Sequence, residues 1–380
     1  MDDRRHFFIA LVCVLLGVGT VMVHSASITS WPTESEGVHL SKHLIFLVVG
    51  IGLAAAAAKL PMAVWFELST WLFVATGALL VVVLLPSVGT RVNGAQRWIR
   101  FGSFSIQPSE MARLSLILLV CRIVILNRDS DVHWLKIFLK VCVPVAIMVP
   151  LVLAEPDLGS AVFFVIGSAV VLFLAGCPLR YFALAGLTLV PAVGFLFTLR
   201  PYQLARITGF MKAWQNVNDA PWQIKQSLVS LGAGGPMGRG IGRGWQKLSY
   251  LPEANTDFVF AVVGEELGLI GTLGMVAVWI ALYLLGLRIL SHRPAGSYAR
   301  VVGTSLLTMV AFQGALNIAV VTAMVPPKGF PHPFVSYASN NLLVSLIAIG
   351  IVLSAASPIA QSGTPGAARV TFKRRWGRAV

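Results

Sequence analysis

The stretch Tyr250–Gly268 reads YLPEANTDFVFAVVGEELG, a polar loop with Glu253, Asn255, Thr256 and Asp257 running unbroken into an apolar segment that carries Glu265 and Glu266. An ionised acid at mid-bilayer costs about 2.5–3.5 kcal/mol on insertion scales, so acids in such a segment are functional candidates by default. If a helix starts near Asp257, Glu265 lies roughly 12 Å further along, too far for a paired-carboxylate site. Asp257, at the mouth, can meet both water and a membrane-embedded substrate. The plainer alternative is that Asn255, Thr256 or Asp257 caps the helix. Glu265 and Glu266 read as structural acids bonded between helices.

Three further groups could do chemistry. In Asn93–Arg113, NGAQRWIRFGSFSIQPSEMAR, Pro108 suits a first helical turn. Glu110 and Arg113 then stand at i and i+3, close enough to pair. They form either an internal ion pair or a site in which Arg113 engages a phosphate and Glu110 positions it. In the turn Glu155–Gly159 (EPDLG), Asp157 is either an N-cap or part of a cavity wall opposite Asp257. The loop Leu231–Gly244, LGAGGPMGRGIGRG, lets backbone N–H groups approach an anion, with Arg239, Arg243 and Lys247 adding charge. With no strand before it, its GxGxxG-like spacing is weak evidence for a nucleotide, and a flexible loop is the alternative.

The elements that must position these residues are membrane helices. The 380-residue chain is 57% hydrophobic and 12% charged, which is not a soluble composition. At about 20 apolar residues per crossing, the expected fold is all-α and polytopic, with about ten transmembrane helices. They fall near 7–25, 42–60, 68–86, 107–126, 138–154, 158–176, 181–199, 258–289, 302–325 and 334–357. Residues 1–360 read as one membrane domain with a large extracytoplasmic loop at about 200–257, and 361–380 as a basic cytoplasmic tail. The string Ala54–Ala58 reads as a close helix-packing face, and Pro144 and Pro150 predict bending of the fifth span.

The net charge of +14 sits between the spans, where orientation and phosphate-bearing lipids explain it better than nucleic acid does. Arg4 and Arg5 at the front and Lys373, Arg374, Arg375 and Arg378 at the back place both termini in the cytoplasm. The loops Ser87–Gln107 and Arg200–Asp257 are basic on the outer side, against that rule, which suggests an anionic ligand there. Cys13, Cys121, Cys142 and Cys177 lie in or beside apolar runs and read as small buried hydrophobes.

Taken in order, the segments NGAQRWI and SIQPSE (93–110), EPDLGS (155–160), QSLVSLGAGG (226–235), LPEANTDFVFAVVGEELGLIG (251–271) and PKGFPHPFVSY (327–337) resemble the SEDS family, shape, elongation, division and sporulation proteins that include RodA and FtsW. Lys247-Leu248 before Tyr250–Glu253, and Lys328-Gly329, look closer to the FtsW branch. The resemblance implies a ten-span fold and a glycosyltransferase that polymerises lipid II, the undecaprenyl-pyrophosphate-linked disaccharide-pentapeptide, into peptidoglycan strands. It also implies a bacterial cytoplasmic (inner) membrane location. The implied partners are a class B penicillin-binding protein, the nascent glycan strand and other division or elongation proteins. The family's essential aspartate maps onto Asp257, and its polar cavity residues map onto Arg97, Glu110, Arg113 and Asp157.

Arg113 stands where the family usually has Lys, Asn255 where it often has His, and Tyr337-Ala338-Ser339-Asn340-Asn341 where it reads SYGGSS. The chemistry expected is an inverting transfer with Asp257 as general base. Arg97, Arg113, Arg243 or Lys247 would offset charge on the departing pyrophosphate, with Glu253 beside them. A divalent cation (Mg or Mn) would assist, although no ligand cluster marks its site. The competing readings are a lipid II flippase and a non-catalytic division scaffold.

Overall fold

Each long apolar stretch forms a helix, because in hydrocarbon only a helix satisfies every backbone N–H and C=O within one segment. The computed structural model describes residues 2–27, 35–92, 95–102, 104–128, 133–198, 208–211, 214, 220–245, 251, 253–326 and 328–357. The helices are α1 (Asp2–Ser27), α2 (Ser35–Lys59), α3 (Met62–Val83), α4 (Pro108–Arg128), α5 (Trp134–Ala154), α6 (Leu158–Leu174), α7 (Leu179–Thr198), α8 (Trp222–Gly234), α9 (Val259–Leu290), α10 (Tyr298–Val321) and α11 (Ser339–Ala356). A helix stands at every expected span, and α8 is an addition inside the expected loop.

Among the described residues seven helices are long and apolar enough to cross a membrane. α4 is as long but carries Glu110, Arg113, Arg122 and Arg128. The apolar segments Leu158–Leu174 and Leu179–Pro191 are shorter. Lys247, the parts of the 200–257 loop at 200–207, 212–213, 215–219, 246–250 and 252, and the 361–380 tail lie outside the described residues.

Ser87–Gln107, expected as a loop, instead holds a three-stranded antiparallel sheet of β1 (Gly89–Val92), β2 (Ala95–Phe101) and β3 (Phe104–Ile106). Val92 pairs with Ala95, and the register slips between Thr90 and Arg91. Alternation along β2 turns Ala95, Arg97 and Ile99 to one face; Ala95 and Ile99 are buried there, while Arg100 is exposed. The alanine string packs as expected, with Gly350 of α11 lying against the Ala54 carbonyl and Ala57 Cβ.

The eighth expected span, 258–289, is not one helix. It breaks at Gly268, whose φ of 67° and ψ of −162° leave the helical region. The rings of Phe260 and Trp279 both pack on His332, at 6.4 and 5.5 Å, whereas a straight helix would hold positions 260 and 279 roughly 28 Å apart. The first segment therefore folds back beside the second.

The glycine-rich loop makes this break possible. Arg239 and Gly240 N–H donate to the last carbonyls of the first segment, Glu265 and Glu266, at 3.0 and 2.9 Å. Leu269 and Ile270 N–H, which begin the second, donate to the Gly235 and Pro236 carbonyls at 2.9 and 3.2 Å. These are groups that a helix end leaves orphaned. A Cβ on Gly268 would lie 2.3 Å from Gly238 N, so only glycine meets both the dihedral and the spacing. Gly268→Ala is expected to lower stability by about 1–3 kcal/mol from backbone strain alone. Gly274→Ala, where a Cβ meets nothing within 4 Å, is expected to be neutral or slightly stabilising. Thermal unfolding midpoints of the two variants in detergent check the contrast.

Candidate functional site

The turn bearing Asp257 is closed by its own backbone, with Thr256 and Phe258 N–H donating to the Glu253 carbonyl at 3.2 and 3.1 Å. Thr256 Oγ1 also donates to Glu253 Oε2 at 2.7 Å. Glu253 itself has φ 56°. The N-cap position of α9 is taken by Phe258, which makes no side-chain cap bond. The chain places the turn inside the bundle end. Asn317 of α10, about one turn before that helix stops, donates Nδ2 to both the Asp257 and Phe330 carbonyls at 2.7 Å. Tyr337 N–H donates to the Asn255 carbonyl at 2.8 Å, and the Ser336 hydroxyl donates to that of Thr256. The segment 328–338 is thus sewn to the Asp257 turn.

Asp257 is half-buried, and a Cβ on Gly329 would fall 2.5 Å from its Oδ2. The carboxylate therefore lies directly against the Gly329 backbone. Lys328, next along the chain, extends across the first turn of α6, its Nζ 2.9 Å from where a Gly159 Cβ would sit. The same ammonium stands 5.6 Å from the Phe330 ring centroid. Lys328 thus links the Asp257 wall to the EPDLG turn.

In that turn Asp157 is the N-cap of α6. Its Oδ1 accepts from Gly159 and Ser160 N–H at 3.1 and 3.3 Å, capping α6. It also faces Arg97 Nη1 at 4.0 Å. Arg97, reaching over from β2, donates Nε to the Glu155 carbonyl at 3.3 Å and Nη2 to that of Pro156. Glu155 is fully buried, and neither carboxylate oxygen has a hydrogen-bond partner. Burial first, and Asp157 second, push its pKa up to about 8, against a smaller opposing pull from Arg97.

Glu110 and Arg113 pair at 2.8 Å, as their spacing suggests. Asn341 Nδ2 joins them, donating to Glu110 Oε2 at 3.1 Å, and Asn340 Nδ2 donates to the Ser105 carbonyl at 2.9 Å. The two asparagines that stand where the family has serines are therefore engaged with β3 and α4. The Arg113 guanidinium lies 5.2 Å from the Phe163 ring centroid, and Phe163 packs edge-on to Phe330 at 4.9 Å. A continuous wall runs from Glu110 through Arg113, Phe163 and Phe330 to Asp257.

The glycine loop does not form the anion cradle that its composition suggested. Besides the bonds at the α9 break, Gly242 N–H donates to Glu266 Oε2 at 3.1 Å and Trp245 N–H to Glu265 Oε1 at 2.7 Å. Arg239 faces Glu265 at 4.0 Å, and Ser25 Oγ of α1 donates to Glu266 at 2.6 Å. The two acids are structural, holding the loop and α1 to the break. Arg243 is exposed on the loop's surface. Among the described residues no three His, Cys, Asp or Glu side chains converge as a metal-ligand set.

Sequence reasoning did not assign Lys328, Asn317, Glu155 or Asn341 to the site. Lys328 carried a visible signal, a lone cation followed by glycine in an apolar loop. Asn317 had none, because one amide within an apolar helix does not name its partner. His332 is buried, and burial depresses its pKa to about 4, leaving a neutral ring packed between Phe260 and Trp279.

The fold and site define a polytopic membrane protein with an acid and several cations gathered at one end of its bundle. Residues 5–359 match the FtsW/RodA/SpoVE family of cell cycle proteins, and the chain belongs to that family. It is 36% identical over 346 residues to a protein of Trichlorobacter lovleyi named "Probable peptidoglycan glycosyltransferase FtsW", covering 90% of this chain and 91% of the relative. A Coxiella burnetii protein of the same name is 36% identical, with 90% and 94% covered. Among solved structures, one described as showing coordination of polymerization and crosslinking by a peptidoglycan synthase complex superposes with a TM-score of 0.75 at 25% identity, covering 92% of this chain and 96% of that one. The rod shape determining protein RodA of Thermus thermophilus gives 0.66 at 25% identity, with 92% and 95% covered.

The Glu155 geometry predicts a pH effect on stability. Its folded pKa is raised, so its contribution is fully present below the unfolded value near 4.5 and is lost as pH rises towards about 8. Glu155→Gln is expected to flatten that loss. Melting midpoints of wild type and variant, measured from pH 4.5 to 8.5, should diverge in the variant's favour as pH rises.

Proposed function

We propose that this chain is a peptidoglycan glycosyltransferase that polymerises lipid II in the bacterial cytoplasmic membrane, with both termini cytoplasmic and the Asp257 site facing outward. The observation that carries this reading is the wall joining Asp257, Lys328, Asp157 with Arg97, and the Glu110–Arg113 pair at one end of the bundle. α1 starts at the opposite end and reaches the site end at Ser25, so the positive N-terminus and the site lie on opposite sides.

Asp257 acts as general base. It takes the proton from the acceptor sugar hydroxyl as that oxygen bonds to the anomeric carbon of the growing chain. The bond from that carbon to the pyrophosphate oxygen breaks on the opposite face, inverting the centre and releasing undecaprenyl pyrophosphate. Arg97, Arg113 and Lys328 offset the negative charge that develops on the leaving group, and Arg243 and Lys247 add positive charge on the loop that follows α8. Glu253 holds the base by fixing Thr256 and closing the turn. Mg²⁺ or Mn²⁺ would add further positive charge to the pyrophosphate.

A class B penicillin-binding protein that cross-links the strands is the proposed partner, alongside other division or elongation proteins. A solved structure that superposes with a TM-score of 0.75 is described as showing coordination of polymerization and crosslinking by a peptidoglycan synthase complex, which supports this reading. The cavity at the opposite end of the bundle is lined mainly by apolar side chains, which does not suit passage of a sugar.

Asp257→Asn removes the base while keeping the shape of the side chain. Polymer formed from purified lipid II should fall about 10²–10⁴-fold, with an unchanged melting midpoint. Near-normal polymerisation by this variant would sink the assignment.

A further inference from the structure

At the end of the bundle away from Asp257, α1, α2 and α11 part around a cavity of about 580 Å³. Its length is lined by Ile9, Leu16, Ile51, Leu346 and Ile349, and the space exists because Ala54, Ala55 and Ala58 contribute only methyl groups. Volumes of about 300–1,000 Å³ are those of small-molecule sites. The rim is cationic: Arg5, in the second turn of α1, and Lys59, the last residue of α2, both line the opening. Arg293 stands behind them, donating Nε to the Ala355 carbonyl at 2.8 Å. Burial, and the neighbouring charge of Arg5, push the Arg293 pKa down. Among the described residues, no salt bridge involves any of these three cations.

We propose that this cavity is a binding site for an anionic phospholipid, with one acyl chain between α1, α2 and α11 and the phosphate on Arg5 and Lys59. An apolar slot needs an apolar occupant, and unneutralised cations at its mouth need an anion. Basic pockets between transmembrane helices on the cytoplasmic side recognise lipid head groups by this combination. Arg5 Nη2 also donates to the Leu353 carbonyl at 3.4 Å, and the Ser354 hydroxyl donates to the Leu60 carbonyl. The rim is therefore tied to α11, and a lipid seated there would brace the ends of all three helices.

The test is native mass spectrometry of the full chain in detergent with phosphatidylglycerol or phosphatidylcholine. Phosphatidylglycerol should be retained at much lower concentration. Arg5→Gln with Lys59→Gln should weaken it about thirtyfold, whereas Lys136→Gln, an exposed cation outside the cavity, should change nothing. Ala55→Leu with Ala58→Leu fills the slot with the charges intact and should also abolish retention, so the proposal stays testable if the charge variant misfolds. Equal retention of the two lipids would overturn it. So would indifference to the slot-filling variant, or displacement of phosphatidylglycerol by undecaprenyl phosphate at equal concentration.

Discussion

A helix that stops within a membrane protein leaves backbone donors and acceptors that hydrocarbon cannot satisfy, and α9 stops at Gly268. The break is tolerated because the loop after α8 meets both new helix ends with its own backbone, while Glu265 and Glu266 hold that loop through Trp245 and Gly242 N–H. A close glycine contact completes the joint, since a Cβ on Gly234 would fall 1.9 Å from the Gly264 carbonyl. The consequence reaches the site. Only because the first segment of α9 folds back does Asp257 lie beneath the end of α10, where Asn317 fixes its carbonyl.

The site brings acids and cations together in a partly buried end of the bundle, where each charge must be accounted for. Arg97 faces Asp157 and donates to two carbonyls, and Arg113 pairs with Glu110 and lies over the face of Phe163. Glu155 has no hydrogen bond to either oxygen, and burial, with Asp157 second, pushes its pKa up to about 8. Asn341 shows how a sequence departure is absorbed. The larger side chain that replaces a small one becomes a donor to Glu110 and binds α11 to α4.

The two ends of the bundle divide the work by polarity. One gathers hydrogen-bonded polar turns around Asp257. The other leaves an apolar slot with a cationic rim, made by the same alanine string that packs α2 against Gly350. One side of that string meets a helix, and another side is left for lipid.

The sequence by itself determined that this is a polytopic helical membrane protein, because apolar run length and backbone hydrogen bonding leave few choices. It also put the Glu110–Arg113 pair and an N-cap at Asp157 among its readings, which are local consequences of three-residue spacing and helix-end chemistry and which the structure selects. It did not reveal the break at Gly268, because an apolar run containing glycine looks the same whether it is straight or folded back. The glycine loop was misread for a related reason: glycines permit close approach, but the approaching group lies far away in the chain. Lys328 over Gly159, Asn317 on Asp257 and the orphaned Glu155 carboxyl were decided by tertiary structure alone. Each depends on which distant segment arrives, and no local periodicity encodes that.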